Sequence, residues 1–170
     1  MIVLLTGACG VGTGIVERLE NGYPETGIKC FHFDSVGVPY VEEMKSAQDW
    51  QQQTTQVWID RLIAEDYPGT VIIEGSTSIE FINAGFEKHR FVDYLIILID
   101  CGEETMMKRL SKNRNQPELA NQDMRNWVQY LRNQTQDLSI DMIDTTYLTT
   151  DGTIELLLKK IEFANKRSIS

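Results

Sequence analysis

Five short apolar segments alternate with helical patterns along this chain of 170 residues, and this alternation is the feature that most constrains the fold. The predicted strands are residues 2–6, 28–33, 70–74, 94–100 and 141–144. Three of them are nearly unbroken runs of Val, Ile and Leu, which is typical of parallel strands covered on both faces. The predicted helices are residues 13–20, 41–63, 79–88, 103–114, 118–137 and 153–166. The pattern predicts an α/β fold, a three-layer sandwich with a five-stranded parallel sheet, whose ligands bind at the carboxyl ends of the strands.

Length and charge limit the number of domains and the kinds of partner. A chain of this length with 42% hydrophobic residues can bury one sizeable core, so we predict a single domain, residues 1–170. The net charge of −9 opposes non-specific attraction to nucleic acid or to an anionic membrane. No apolar run reaches the ~18 residues of a membrane span, and no basic segment precedes a signal-like stretch. These features predict a cytoplasmic protein without nucleic-acid or membrane partners.

A glycine-rich stretch, LLTGACGVGTG at residues 4–14, follows the first predicted strand. It matches the beginning of the phosphate-binding pattern G-x-x-x-x-G-K-[ST], because Gly7 and Gly12 have the required spacing. A glycine turn that leads into a helix directs backbone amides at one point, where an anion binds. The lysine and the hydroxyl residue of the pattern are replaced by Thr13 and Gly14. The predicted nucleotide-binding loop consists of Gly7, Gly10, Val11, Gly12, Thr13 and Gly14.

The replaced positions predict a weakened or lost activity. Thr13 cannot supply the positive charge that bridges the outer phosphates, and Gly14 has no hydroxyl for magnesium. Charge-assisted contacts are roughly twice as strong as neutral ones, so both the affinity for nucleotide and the rate of transfer are expected to fall. A basic residue from a lid, Lys108, Arg109 or Arg114, is a candidate to replace the missing cation.

Polar residues follow the later strands as well, in the stretches HFDS (32–35), EGSTS (74–78), DCGEE (100–104) and DTT (144–146). Each stretch alone is a typical helix cap, whereas together they outline a crevice at the strand ends. The three cysteines include no C-x-x-C pair, and the chain has two histidines, so neither a disulfide framework nor a zinc site is indicated. Cys9, within the glycine loop, is predicted to be an inert thiol.

A basic segment lies between Lys108 and Arg132, with six basic and two acidic residues. The six are Lys108, Arg109, Lys112, Arg114, Arg125 and Arg132. Two interpretations are open: a solvated helix face, or a lid whose arginines fold over the transferred phosphate.

The order of these motifs resembles that of the small P-loop kinases of the nucleoside, nucleotide and shikimate kinase group. The resemblance implies ATP with Mg²⁺ as the phosphoryl donor and a hydroxyl or phosphate of a small metabolite or nucleoside as the acceptor. It also implies that Asp34 is the base or substrate-binding carboxylate and that Glu74 stands near the magnesium and its water. Arg109 and Arg114 are then lid cations. Thr145 and Thr146 belong to a segment, residues 145–150, that would lie beside the adenine.

Several alternatives stay open. Asp34 has the character of a turn or cap residue, and Glu74 that of a buried partner for an arginine. The chain as a whole is also interpretable as a non-catalytic nucleotide-binding or interaction protein on a kinase scaffold.

A dinucleotide-binding oxidoreductase is a further alternative, because TGACGVG resembles the opening of short-chain dehydrogenases and Asp34 has the position of a ribose-binding acid. The glycine spacing disfavours it, since Ile15 stands where a third glycine is required.

Aromatic residues on two predicted helices are further candidates for ligand contacts. Trp50 and Trp58 lie eight residues apart and Trp127 and Tyr130 lie in the basic segment. For both pairs the spacing favours packing against the body over a ligand cage.

Overall fold

A computed structural model describes residues 1–12, 14–36 and 49–168. The strands are β1 (Ile2–Thr6), β2 (Lys29–His32), β3 (Val71–Gly75), β4 (Tyr94–Asp100) and β5 (Asp141–Asp144). The helices are α1 (Ile15–Gly22), α2 (Trp50–Glu65), α3 (Ile79–His89), α4 (Glu103–Lys108), α5 (Gln122–Asp137) and α6 (Thr150–Ser168). Short helical turns add Pro24–Thr26, Phe33–Val36, Arg109–Asn113 and Pro117–Leu119.

The strands form a five-stranded, all-parallel sheet in the order β2-β3-β1-β4-β5, which confirms the predicted fold class. β1 is central and fully buried. It pairs with β3 on one side and with β4 on the other, so the loop that follows β1 emerges at the middle of the carboxyl edge. Its neighbours at that edge are the ends of β3 and β4.

Helices cover both faces of the sheet, because side chains of a strand point alternately to opposite faces. Val3 and Leu5 face a core shared with α1 and α6. Ile2 and Leu4 face the other core, in which the ring of Phe86 from α3 is fully buried. Burying such a side chain stabilises the fold by about 1.5–3 kcal/mol.

The predicted strands agree with the observed ones within two residues at each end, whereas the helices deviate more. The predicted helix 103–114 is helical from Glu103 to Asn113, but α4 ends at Lys108 and the last five residues form a π-helical turn, Arg109–Asn113. The predicted helix 118–137 begins late, at Gln122, because the Asn121 side chain caps it by accepting a hydrogen bond from the Met124 amide at 2.9 Å. Residues 41–48 of the predicted helix 41–63 lie outside the described residues.

Helix α5, the C-terminal part of the basic segment, belongs to the layer that covers the sheet. Val128 and Leu131 are buried, and the Gln134 side-chain oxygen accepts a hydrogen bond from the Ile79 amide at 2.9 Å at the start of α3. Trp127 donates from its indole nitrogen to Ser76 Oγ at 2.8 Å, so this ring packs on the body as predicted. The part of the basic segment that belongs to α5 is therefore packed against the rest of the protein.

None of the helices in the described ranges combines the length and the apolar character that crossing a bilayer requires.

Replacing Gly75 with alanine is expected to lower the free energy of unfolding by about 2 kcal/mol. An added Cβ at Gly75, where β3 ends, would lie 2.2 Å from Cβ of Phe33, so the turn that carries Asp34 would have to move. Urea unfolding followed by circular dichroism measures the difference. Gly14→Ala is the matched control, because an added Cβ there meets no described atom within 4 Å. Equal stability of Gly75→Ala and wild type would contradict the prediction.

Candidate functional site

The glycine loop adopts a backbone that needs glycine at two positions. Gly10 has a φ of 85° and Gly12 a φ of 108°, both in the left-handed region that side chains disfavour. Gly10 is also crowded, because an added Cβ would lie 3.2 Å from the Met106 carbonyl oxygen of α4. The loop then enters α1, whose N-cap is Gly14. This connection from a central strand to a helix N-terminus is the arrangement in which backbone amides bind an anion. Thr13 lies outside the described residues.

Arg109 forms hydrogen bonds to the backbone of this loop. Its Nη1 donates to the carbonyl oxygens of Val11 at 3.0 Å and Gly10 at 3.5 Å, and to Thr145 Oγ1 at 2.9 Å. Its Nη2 donates to the Thr145 carbonyl oxygen at 2.9 Å. Thr145 is buried and itself donates to the Val11 carbonyl oxygen. The structure thus brings together four of the residues that sequence analysis assigned to the nucleotide site, Gly10, Val11, Arg109 and Thr145. The guanidinium of Arg109 links the loop to Thr145.

A first cleft of about 280 Å³ lies beside the loop, on the side of β5 and α6. Its lining residues include Gly10, Gly12, Gly14, Arg109, Asn113, Arg114, Thr145 and Leu148. The π-helical turn contributes Arg109 and Asn113, and Arg114 follows it directly. The Arg114 amide donates to the Arg109 carbonyl oxygen at 3.0 Å, a hydrogen bond that spans five residues. We call this cavity the nucleotide-side cleft.

A second cleft of about 270 Å³ lies on the other side of the loop, at the ends of β2 and β3. Its lining residues include Gly7, Cys9, Phe33, Asp34, Trp50, Gln51, Glu74, Ser76 and Arg114. Asp34 is exposed in the turn after β2, whereas Glu74 is largely covered. We call this cavity the acceptor-side cleft. Arg114, an exposed residue, lines both clefts and therefore stands where they meet.

Glu74 forms an ion pair with a residue that sequence analysis did not assign to the site. His32 Nδ1 lies 2.8 Å from Glu74 Oε1, so Glu74 has an imidazole partner rather than the arginine that one interpretation of the sequence gave it. The two residues are register partners in the β2–β3 pairing. His32 is part of the stretch HFDS, but its pairing with Glu74 can be predicted only when β2 and β3 are known to be neighbours.

Cys9 lies within the acceptor-side cleft as a partly buried thiol. Burial raises its pKa above the usual value, and the carboxylates of Asp34 and Glu74 raise it further, whereas the Arg114 guanidinium lowers it. The thiol is therefore protonated at neutral pH, in agreement with the prediction that it is inert.

Two further aspartates end strands β4 and β5, and both are held by neighbours. Arg132 donates from Nε to Asp100 Oδ2 at 2.6 Å and from Nη2 to Asp100 Oδ1 at 3.1 Å, which raises the pKa of Arg132. Asp144 accepts from the hydroxyl and the amide of Thr146, and these bonds lower the pKa of Asp144. Thr146 Oγ1 also accepts from the Gly102 amide at 2.7 Å, so this hydroxyl is engaged in the turn.

Asp34 and Glu74 provide the carboxylate oxygens of the acceptor-side cleft. Within the described ranges, no group of three or more His, Cys, Asp and Glu residues could hold a metal ion by itself. A magnesium ion bound to a nucleotide needs fewer protein ligands, because it is held by one or two carboxylates together with phosphate oxygens and water. Asp34 and Glu74 are the carboxylates among the described lining residues that are available to such an ion.

Similar structures support the fold. This chain matches the structure of shikimate kinase from Acinetobacter baumannii in complex with shikimate, with a TM-score of 0.63 and 17% identity; the match covers 95% of this chain and 93% of the other. A gluconokinase from Sinorhizobium meliloti 1021 matches over 98% and 95%, with a TM-score of 0.66 and 12% identity. Deoxyadenosine kinase from M. mycoides with bound dATP matches over 95% and 100%, with a TM-score of 0.59 and 15% identity. No protein-family model and no curated protein sequence matches the chain. The fold of this chain is thus similar to the fold of these three kinases.

Proposed function

We propose that this chain is a P-loop phosphotransferase that moves the γ-phosphoryl group of ATP to a hydroxyl of a small molecule. The observation that supports it most is the position of Arg114, which lines the nucleotide-side cleft and the acceptor-side cleft together. Phosphoryl transfer needs two substrates on either side of one group that compensates the charge of the moving phosphoryl. The similar kinase structures, one with bound dATP and one with shikimate, support the same assignment.

The nucleotide binds by its phosphates to the backbone amides of the glycine loop and by its base to the nucleotide-side cleft. Gly12, which has no side chain, permits a close approach of the phosphates to the backbone, and its φ of 108° favours glycine at this position. Arg109 is a positioning residue in this proposal, since its guanidinium donates to loop carbonyls. Thr145 positions Arg109 through its hydroxyl and its carbonyl oxygen.

Asp34 and Glu74 act on the acceptor and on the metal. Asp34, exposed within the acceptor-side cleft, accepts the proton of the attacking hydroxyl. Glu74, which is bonded to His32, would hold a magnesium ion through its carboxylate. The magnesium would supply charge neutralisation at the phosphate oxygens.

In the transfer step, a bond forms between the acceptor oxygen and the γ-phosphorus while the bond between that phosphorus and the bridging oxygen breaks. The hydroxyl proton passes to Asp34, and ADP leaves with the bridging oxygen. Arg114 replaces the loop lysine as the cation beside the moving phosphoryl. We expect a low rate of phosphoryl transfer, because the long side chain of Arg114 is positioned less firmly than a lysine within the loop would be.

Calorimetric titration with ATP, with and without Mg²⁺, tests the proposal. Saturable binding that strengthens with Mg²⁺ is the expected result, and NADH, the ligand of the alternative oxidoreductase, serves as the control. A folded protein that does not bind ATP up to millimolar concentration would contradict the proposal.

Restoring the loop chemistry is expected to tighten Mg²⁺-dependent ATP binding about tenfold. The change is Thr13→Lys combined with Gly14→Ser. Gly14 has a φ of −65° and open space around an added Cβ, so the serine fits without strain. The matched control is Thr13→Gln with Gly14→Ala, which has similar volume but lacks both the charge and the hydroxyl. Equal affinity of the two double variants, measured calorimetrically, would count against the loop assignment.

The second candidate function is a nucleotide-binding protein without catalysis, and the presence of Thr13 and Gly14 in the loop favours it. It predicts ATP binding with no formation of ADP in the presence of any acceptor. Chromatographic detection of ADP after prolonged incubation with Mg²⁺ and ATP distinguishes the two candidates.

A further inference from the structure

The stretch EGSTS, residues 74–78, provides more than the carboxylate of Glu74. The Ser76 carbonyl oxygen accepts a hydrogen bond from Gln51 Nε2 of α2 at 2.7 Å. The Ser76 hydroxyl accepts one from the indole of Trp127 in α5 at 2.8 Å. The segment that follows β3 is therefore bonded to helices on two sides, and its next residue, Thr77, extends these connections to β1.

Thr77 fixes the end of β1 by two hydrogen bonds to one side chain. Thr6 Oγ1 donates to the Thr77 carbonyl oxygen at 2.5 Å and accepts from the Thr77 amide at 3.2 Å. Thr6 is the last residue of β1, and the glycine loop begins at the next residue, Gly7. The position of Thr77 therefore determines where the glycine loop starts.

The hydroxyl of Thr77 reaches in the opposite direction, to α2. Thr77 Oγ1 lies 2.7 Å from Thr55 Oγ1, and Thr55 Oγ1 also donates to the Gln51 carbonyl oxygen at 2.7 Å. A hydroxyl has one proton, so Thr77 is the donor to Thr55. The first two residues of α2, Trp50 and Gln51, line the acceptor-side cleft. Thr77 thus connects the glycine loop with a wall of that cleft.

The three hydroxyls of this connection lie in the interior of the protein. Thr6 is 0% exposed, Thr55 is 1% exposed and Thr77 is 3% exposed. Valine has nearly the same shape and fills such a space without any need for polar partners, whereas a buried hydroxyl is costly unless it is bonded. Each of these hydroxyls is bonded. A buried network with all its bonds made holds the elements that it joins in one arrangement.

We infer that Thr77 is a positioning residue that holds the glycine loop and the first turn of α2 in one arrangement. The inference rests on the proposed function, because the loop is proposed to bind the phosphates of ATP and α2 to line the acceptor site. Removing the hydroxyl leaves the bonds to Thr6 in place but releases Thr77 from Thr55. The loop amides are then directed less firmly at the phosphates.

A first experiment needs no ligand and uses Cys9 as a reporter within the loop. Cys9 is partly buried and packs against the core, so alkylation by iodoacetamide reports local opening of the loop. We expect Thr77→Val to raise the alkylation rate of Cys9 about fivefold. Cys30, in β2, is the internal reference, because trypsin releases the two cysteines in separate peptides that mass spectrometry quantifies.

Two further variants assign the effect to the hydroxyl. Thr77→Ser keeps the donor to Thr55 and is expected to restore the wild-type rate at Cys9. Thr135→Val is the matched control, because Thr135 is 8% exposed and its hydroxyl donates within α5, to the Leu131 carbonyl oxygen at 2.8 Å. An unchanged Cys9 rate in Thr77→Val would overturn the inference. A parallel rise at Cys30, or equal rates in Thr77→Ser and Thr77→Val, would overturn it as well.

Calorimetric titration with Mg²⁺ and ATP then measures the effect on the proposed site. We expect about fivefold weaker binding by Thr77→Val and unchanged binding by Thr77→Ser and Thr135→Val. Equal affinity of wild type and Thr77→Val would overturn the inference. If wild type itself does not bind ATP, the proposed function fails, whereas the alkylation rates still decide whether Thr77 positions the loop. If Thr77→Val does not fold, Thr55→Val removes the same bond from the side of α2 and takes its place in both experiments.

Discussion

Replacing Arg114 with alanine is expected to lower the rate constant of phosphoryl transfer about a thousandfold. Arg114 is the basic residue that lines both clefts, and it is proposed to compensate the charge that develops on the transferred phosphoryl. Because the loop already lacks its lysine, the loss of Arg114 leaves backbone amides and the magnesium ion as the groups that compensate this charge. The rate of ADP formation at saturating ATP and Mg²⁺, measured with and without small hydroxyl compounds as acceptors, gives the effect.

Lys112→Ala is the matched control for this experiment. Lys112 is also an exposed basic residue of the same segment, but it lines neither cleft, so its removal changes the net charge equally without touching the site. The control is expected to retain its rate within about twofold, because exposed charges in water interact weakly. A similar rate for wild type and both variants would contradict the role of Arg114. Arg114→Lys, which keeps the charge but loses the planar fork, should give an intermediate rate.

The architecture could be predicted from sequence because its determinants are local and repetitive. The strands β1 and β4 are nearly continuous apolar runs that lie between helical patterns. Such runs are typical of parallel strands that are buried on both faces. Glycines in the loop after β1 predicted a tight turn that leads into a helix, and in the structure Gly10 and Gly12 adopt positive φ in that turn. The order of the strands within the sheet was not predicted, since it depends on pairing between distant segments.

The partners of the site residues were less accessible to prediction. The pair of His32 and Glu74 joins neighbouring strands that are 42 residues apart in sequence. Arg109 was predicted as a lid cation because of its charge and motif, yet its hydrogen bonds in the structure all run to Thr145 and to loop carbonyls among the described residues. Charge patterns do not reveal which acceptor a long side chain reaches.

The basic segment shows the same limit. Its composition is uniform in sequence, but its residues have different tasks in the structure. Arg125 pairs with Glu103 on the surface and Arg132 binds Asp100, while Arg114 faces the clefts. What separates these residues is the position of α5 against the body, which follows from the burial of Val128 and Leu131 rather than from charge.

Replacing Arg132 with alanine is expected to lower the free energy of unfolding by about 3 kcal/mol, at the lower end for a buried pair because Arg132 remains one-third exposed. Asp100 is 8% exposed, and without Arg132 its carboxylate would stay buried without its cation. The same guanidinium donates to the Cys101 carbonyl oxygen at 2.9 Å, which adds to the loss. Urea unfolding followed by circular dichroism gives the value.

A loss of stability in Arg132→Ala has two possible causes: a buried carboxylate without its cation, or a general effect of losing a surface arginine. Two further variants separate these causes. Arg125→Ala breaks an exposed pair with Glu103 and is expected to cost less than about 1 kcal/mol. Asp100→Leu combined with Arg132→Met removes both charges and should recover most of the stability that Arg132→Ala loses, since apolar replacements for a buried pair are often neutral. If the double variant is as unstable as Arg132→Ala, the pair itself, rather than the stranded charge, stabilises the end of β4. Because the Asp100 carbonyl oxygen accepts from the Thr145 amide at 2.8 Å, the same loss would then loosen the wall of the nucleotide-side cleft.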